Sequence, residues 1–129
     1  MTAVHTEGNA VPPLDEDLAY ALDRTAGVHA GIDLIRDGIR LIALDRHTPD
    51  ETQTLIARLA GSSENDDVLA ALAYLIARLS NADTNPSLRT LPLDQQKTAQ
   101  HHGEKAQFHL TDEWLHQHAS EASAAITGD

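Results

Sequence analysis

The sequence predicts an all-α protein, a small helical bundle built on one long helix and two shorter ones, with a weakly ordered C-terminal extension ending in a helix. Three observations predict it. Leu14, Leu18, Ala21, Thr25, Val28, Ile32, Ile35, Ile39 and Ile42 recur at alternating spacings of four and three, a period that a strand cannot use. Capping signals stand at Thr48 and Ser63, each ahead of an apolar run. Aromatic residues make up only 3% of the chain, so Leu, Ile, Val and Ala must supply the packing, which suits helices better than sheets.

Taken in order, residues 1–13 are polar, carry Gly8 and Pro12-Pro13, and read as a flexible N-terminal arm. Residues 14–81 form the expected helical core domain. Its first part, Leu14 to Arg46, is one long helix or two segments broken near Thr25 to Gly27. Thr48-Pro49-Asp50-Glu51 supplies an N-cap, a proline at the first helical position and a glutamate placed for a capping box, and Gly61 suits the helix end. Val68 to Leu79, apolar nearly all round, is expected to be central. Residues 82–110 contain two prolines and no sustained apolar period, and read as a weakly ordered linker with a short helical turn after Leu93. Residues 111–126 form the expected C-terminal amphipathic helix, with Thr111 as N-cap, Leu110 and Leu115 as a hydrophobic staple, and the single tryptophan, Trp114.

At 129 residues the chain has room for one domain with a modest core. A formal charge of -11 disfavours nucleic acid phosphates and anionic lipid as partners and favours a basic protein or a cation. With no cysteine there is neither a disulfide nor a thiolate metal site, the ordinary condition of a cytosolic protein. The opening residues lack a basic start and an apolar run, and the longest apolar run, Val68 to Ala77, is about half the roughly 20 residues that span a membrane. The expectation is a soluble, cytoplasmic protein, and the excess of Arg over Lys with abundant Ala suggests a bacterial source.

Three glycines, Gly27, Gly31 and Gly38, interrupt a stretch that would be a better helix with alanine. At about 100° per residue they fall within about 40° of each other, on a stripe that also holds Leu34 and Leu41. The Ile stripe lies beside it. A helix apolar over half its circumference needs cover from two sides, and three interior glycines cost roughly 2 to 3 kcal/mol against alanine. Gly27, Gly31, Leu34, Gly38 and Leu41 are therefore the candidate surface for close approach of another helix, first of all the same helix of a second subunit. Helix-end punctuation by glycine is the competing explanation.

The remaining arc, His29, Asp33, Arg36, Asp37 and Arg40, is a weak site candidate whose spacings are equally those of solvated surface ion pairs. Five histidines, His101, His102, His109, His116 and His118, crowd the C-terminal third. No H-x-x-x-H or HExxH pair occurs among them, so they read as a solvated tail without a structured metal site. No nucleophile elbow or glycine-rich phosphate loop is present, so no catalytic residue and no cofactor is assigned.

Ile32-Asp33, Ile35, Ile39, Ile42 and Arg46, followed by a short and a third helix, resemble the long first helix and helix order of the all-helical chorismate mutases. That resemblance implies an enzyme binding a dicarboxylate through converging arginines, with Arg58 and Arg78 as further cations. His29 stands where the family would place a second arginine. The reading preferred from the residues themselves is a non-catalytic interaction or regulatory protein, homodimeric through the long helix. The alternatives are that enzyme or an acidic antitoxin or nucleic-acid-mimicking inhibitor.

Overall fold

The computed structural model of the chain describes residues 10–126, whose regular elements are all helices, without a strand among them. The arm expected over 1–13 lies mostly outside the described residues. Contacts divide the chain into two compact units that meet in sequence at Arg46 and His47. A single core domain over 14–81 was expected; the boundary falls inside it, at the start of the Thr48 cap.

The first unit is a pair of helices, α1 (Glu16–Thr25) and α2 (Ala30–Leu44), packed on each other. The sequence leaves open one continuous helix or a break near Thr25 to Gly27, and the break is what forms. Three local interactions make it. Thr25 Oγ1 turns back to donate to the carbonyls of Ala21 (3.1 Å) and Leu22 (3.0 Å). Gly27 adopts φ +78°, in the left-handed region that glycine enters without steric cost. Its N–H donates to Asp33 Oδ1 at 2.9 Å, clasping the turn to α2. Leu22, on the inner face of α1, is buried, and Arg36 Nε reaches across from α2 to the Leu22 carbonyl at 2.8 Å.

The second unit holds α3 (Pro49–Ala60), α4 (Val68–Leu79), a 3-10 turn (Pro86–Thr90), α5 (Leu93–Leu110) and α6 (Glu113–Ala125). Within it α4 packs on α5, α3 on α6, and α3 on α4. The Thr48 cap forms as expected, its side chain accepting from Glu51 N at 3.1 Å, with Pro49 leading the helix. The cap of α4 is Asp67 rather than Ser63, and the cap of α6 is Asp112 rather than Thr111. Thr111 instead closes α5, its hydroxyl donating to the Gln107 carbonyl at 2.8 Å.

The largest departure from expectation is α5. Where a weakly ordered linker was expected, an 18-residue helix stands, the longest among the described residues. Its packed face is Gln96, Ala99, Gln100, Gly103, Ala106, Gln107 and Leu110, which does recur at helical spacing. All but Leu110 at its end are small or polar, so no apolar stripe advertises the face. Gly103 shows why small ones are needed: a Cβ there would lie 2.4 Å from Ser80 Cβ and 2.7 Å from Ser80 Oγ. Alanines answer from α4, where Ala70 and Ala73 are fully buried while Tyr74, Leu75 and Leu79 stay largely exposed. A second close approach joins α3 to α6. A Cβ at Gly61 would come within 3.2 Å of the Ser120 nitrogen, and Ser123 Oγ donates to the Gln53 carbonyl at 2.8 Å. No described helix is long and apolar enough to cross a membrane.

Candidate functional site

Two places in the fold carry polar or apolar groups that the packing leaves to be explained, one in each unit. The first is α2. Seven of its fifteen residues are Leu or Ile, yet none of its residues is buried. Leu34 and Leu41 are 73% and 70% exposed, and Ile32, Ile35 and Ile39 are more than a third exposed.

Of the expected contact residues, α2 brings Gly31, Leu34, Gly38 and Leu41 onto one stripe. Gly27 is not on it, because the chain leaves the helix at Ala26 and Gly27 serves the turn. Gly31 has a local partner: a Cβ there would sit 3.1 Å from His29 Nδ1, which accepts the Gly31 N–H at 2.8 Å to cap the helix. At Gly38 a Cβ would meet nothing within 4 Å. The glycine is open to whatever approaches.

The polar arc of α2 does local work. His29 caps the helix, Asp33 clasps the Gly27 turn, and Arg36 bridges to the α1 carbonyl while pairing with Asp37 at 3.2 Å. Arg40 and Asp37, with Leu41, Leu44 and Asp45, line a shallow groove of about 450 Å³ at the end of the helix. Three of the five arc residues are thus committed to holding α2 in place. Two of the arginines named by the mutase resemblance are also engaged or displaced: Arg46 lies beyond the α2 cap Asp45, and Arg58 pairs with Asp66 at 3.6 Å.

The second place was not legible in the sequence. His116 and Asp67, forty-nine residues apart, are both buried and joined at 2.7 Å, Nδ1 to Oδ2. Asp67 also accepts from Ala70 N (2.8 Å) and Ser62 N (3.0 Å). The other ring nitrogen of His116, Nε2, lies 2.7 Å from the Leu110 carbonyl oxygen. His116 was expected in a solvated tail, and is instead 4% exposed. The only available signal was the acidic pair Asp66-Asp67 before an apolar helix, which marks a cap but not its partner.

The ring borders a cleft of about 480 Å³, whose walls include Ser62, Asn65, Glu113, Gln117 and Glu121. An Asp–His pair beside a hydroxyl-lined cleft has the parts of a hydrolytic site, but a general base needs a free Nε2 facing the nucleophile. Here Nε2 is spent on a backbone carbonyl. Beside it, Ser62 Oγ donates to Asp66, and that bond together with Arg58 holds the Asp66 carboxyl below its ordinary value, against a smaller opposing effect of desolvation. Among the described residues no group of three or more His, Cys, Asp or Glu is placed to hold a metal ion.

Comparison of the chain with protein families, with curated proteins and with solved structures finds no match. Function has to be argued from these two places alone.

Proposed function

We propose that the protein is a non-catalytic interaction or regulatory protein that pairs with a second copy of itself through α2. The observation that supports this reading is the apolar, unburied α2. A helix with this much Leu and Ile facing outward is a contact surface in want of cover.

The order of residues along the stripe favours a second copy over a foreign helix. Leu34 and Gly38 stand equally far from position 36, and so do Gly31 and Leu41. An antiparallel copy crossing at that level seats Leu34 over the partner's Gly38 and Leu41 over the partner's Gly31. Leu34 meets an open hole at Gly38, Leu41 meets Gly31 beside the capping His29 ring, and the same patch serves both subunits, as a two-fold interface requires. A parallel copy would set Leu against Leu. A helix of this length spans only about 22 Å, so an interface of roughly 800 Å² per subunit would draw on further exposed residues of the first unit, Tyr20 and Val28 among them.

Gly38→Leu is the test. In the single chain the added side chain meets open space and raises helix propensity, so stability of the isolated unit holds or improves. In the dimer it fills the hole. Sedimentation or light scattering over a concentration series is expected to show a wild-type dimer and a Gly38→Leu monomer. A wild type that stays monomeric at its highest soluble concentration overturns the reading, as does a variant that dimerises equally well.

A further inference from the structure

Both nitrogens of the His116 ring face acceptors. One is the Asp67 carboxylate, the other the Leu110 carbonyl oxygen, each at 2.7 Å. A carbonyl has no proton to give. The Asp67 carboxylate already receives two backbone N–H groups, from Ser62 and Ala70, and that pattern belongs to the ionised form. Both hydrogen bonds therefore need an N–H on the ring side.

We propose that His116 is an imidazolium in the native fold and works as a proton-operated latch, holding the start of α6 to the first turn of α4 and the last turn of α5. A neutral ring donates only one of the two bonds and turns a lone pair toward the other oxygen. At 4% exposure no solvent is at hand to repair that contact. The buried charge is compensated on two sides. Asp67 supplies a full negative charge, and the Leu110 carbonyl belongs to the last helical residue of α5, at the negative end of that helix.

The other charged groups around the cleft point the same way. Glu113 and Glu121 of α6 line it. From the loop between α3 and α4 comes Asp66, which holds the cleft-lining Ser62 and shares its charge with Arg58 of α3. On α5 the neighbour is His109, an exposed side chain next to Leu110. The N-terminal end of α6 itself opposes a cation at His116, and the carboxylate in contact outweighs it.

The sign follows from proton counting. An unfolded histidine loses its proton near pH 6.5. A fold that holds a proton which the unfolded chain has given up takes one up on folding, and the folding equilibrium constant then falls as pH rises, by up to about tenfold per pH unit. Loss of the second ring proton releases the latch, and the α3–α6 pairing and the cleft walls formed by α6 then loosen together.

Nitrogen-15 NMR on the full-length wild type tests the proton count directly. At pH 7.5, about a unit above the ordinary histidine value, both His116 ring nitrogens are expected to carry protons. A single neutral tautomer in the folded protein at that pH overturns the proposal. Urea denaturation from pH 6.5 to 8 on wild type and His116→Gln gives the second reading. The seven other histidines are common to both proteins, so their contribution cancels. The wild type is expected to lose up to tenfold more in folding constant per pH unit; identical slopes overturn the latch. Should the variant fail to fold, the wild-type NMR decides alone.

Discussion

Gly103→Ala tests whether α5 is packed as described, and the structure sets both the sign and the size of its effect. On an isolated helix the change is favourable by about 1 kcal/mol, since alanine is the better helix former. In the fold the new methyl lands 2.4 Å from Ser80 Cβ, where carbon atoms settle at about 3.5 to 4.0 Å. The obstacle is a Cβ, fixed by its backbone, so a side-chain rotation cannot clear it. Ser80 is also tied down, its Oγ donating to the Ile76 carbonyl at 2.8 Å. Relief requires α4 and α5 to separate by about an ångström, opening the contact at the fully buried Ala70 and Ala73. Overpacking of this kind costs about 1 to 3 kcal/mol, and disturbing the Ser80 bond adds about 1 kcal/mol. After the propensity gain a net loss of about 2 kcal/mol is expected. Urea denaturation followed by circular dichroism measures it. Ser80→Gly combined with Gly103→Ala is expected to recover most of the loss, a coupling of more than about 1 kcal/mol in a double-mutant cycle. A Gly103→Ala variant as stable as wild type, or more so, would refute the α4–α5 packing and return residues 82–110 to a loose linker.

The remaining predictions concern single contacts. Gly27→Ala forces an L side chain to φ +78° and is expected to cost about 1 kcal/mol once the entropy gained in the unfolded chain is deducted; thermal melts of the first unit's helices check it. Asp66 has its carboxyl held below the ordinary 3.8, chiefly by the Ser62 hydroxyl. Whatever it contributes to stability is therefore present above pH 3.8 and lost as pH falls through the lowered value. Ser62→Ala is expected to move the Asp66 carboxyl resonance midpoint upward in an NMR titration, and an unmoved midpoint would show that the hydroxyl is not the cause.

How much of this protein was legible beforehand depends on the kind of residue doing the packing. Where large aliphatic residues mark a face, as along α1, α2 and α4, the helices lie where the sequence puts them, and Thr48-Pro49 starts α3 as a local cap should. Residues 93–110 carry the same spacing in Gln, Ala and Gly, residues whose burial depends on what lies opposite. Their helix therefore left no apolar trace. The glycines divide in the same way. Gly27, Gly31 and Gly38 drew attention because they interrupt an apolar stripe, yet in the single chain Gly27 shapes a turn and Gly38 touches nothing. Gly61, read only as a helix end, and Gly103, in a stretch without an apolar period, are where two backbones do meet closely. His116 is the extreme case. It stands in a stretch rich in other histidines, and only the fold brings it to Asp67 and the end of α5. The sequence by itself determined that the chain is helical, where α3 begins and which face of α2 is apolar, because caps and periodicity are read within a few residues. Only the tertiary structure decided which small residues are buried, where the two units divide and which histidine is enclosed, because each of those depends on atoms supplied by a distant part of the chain.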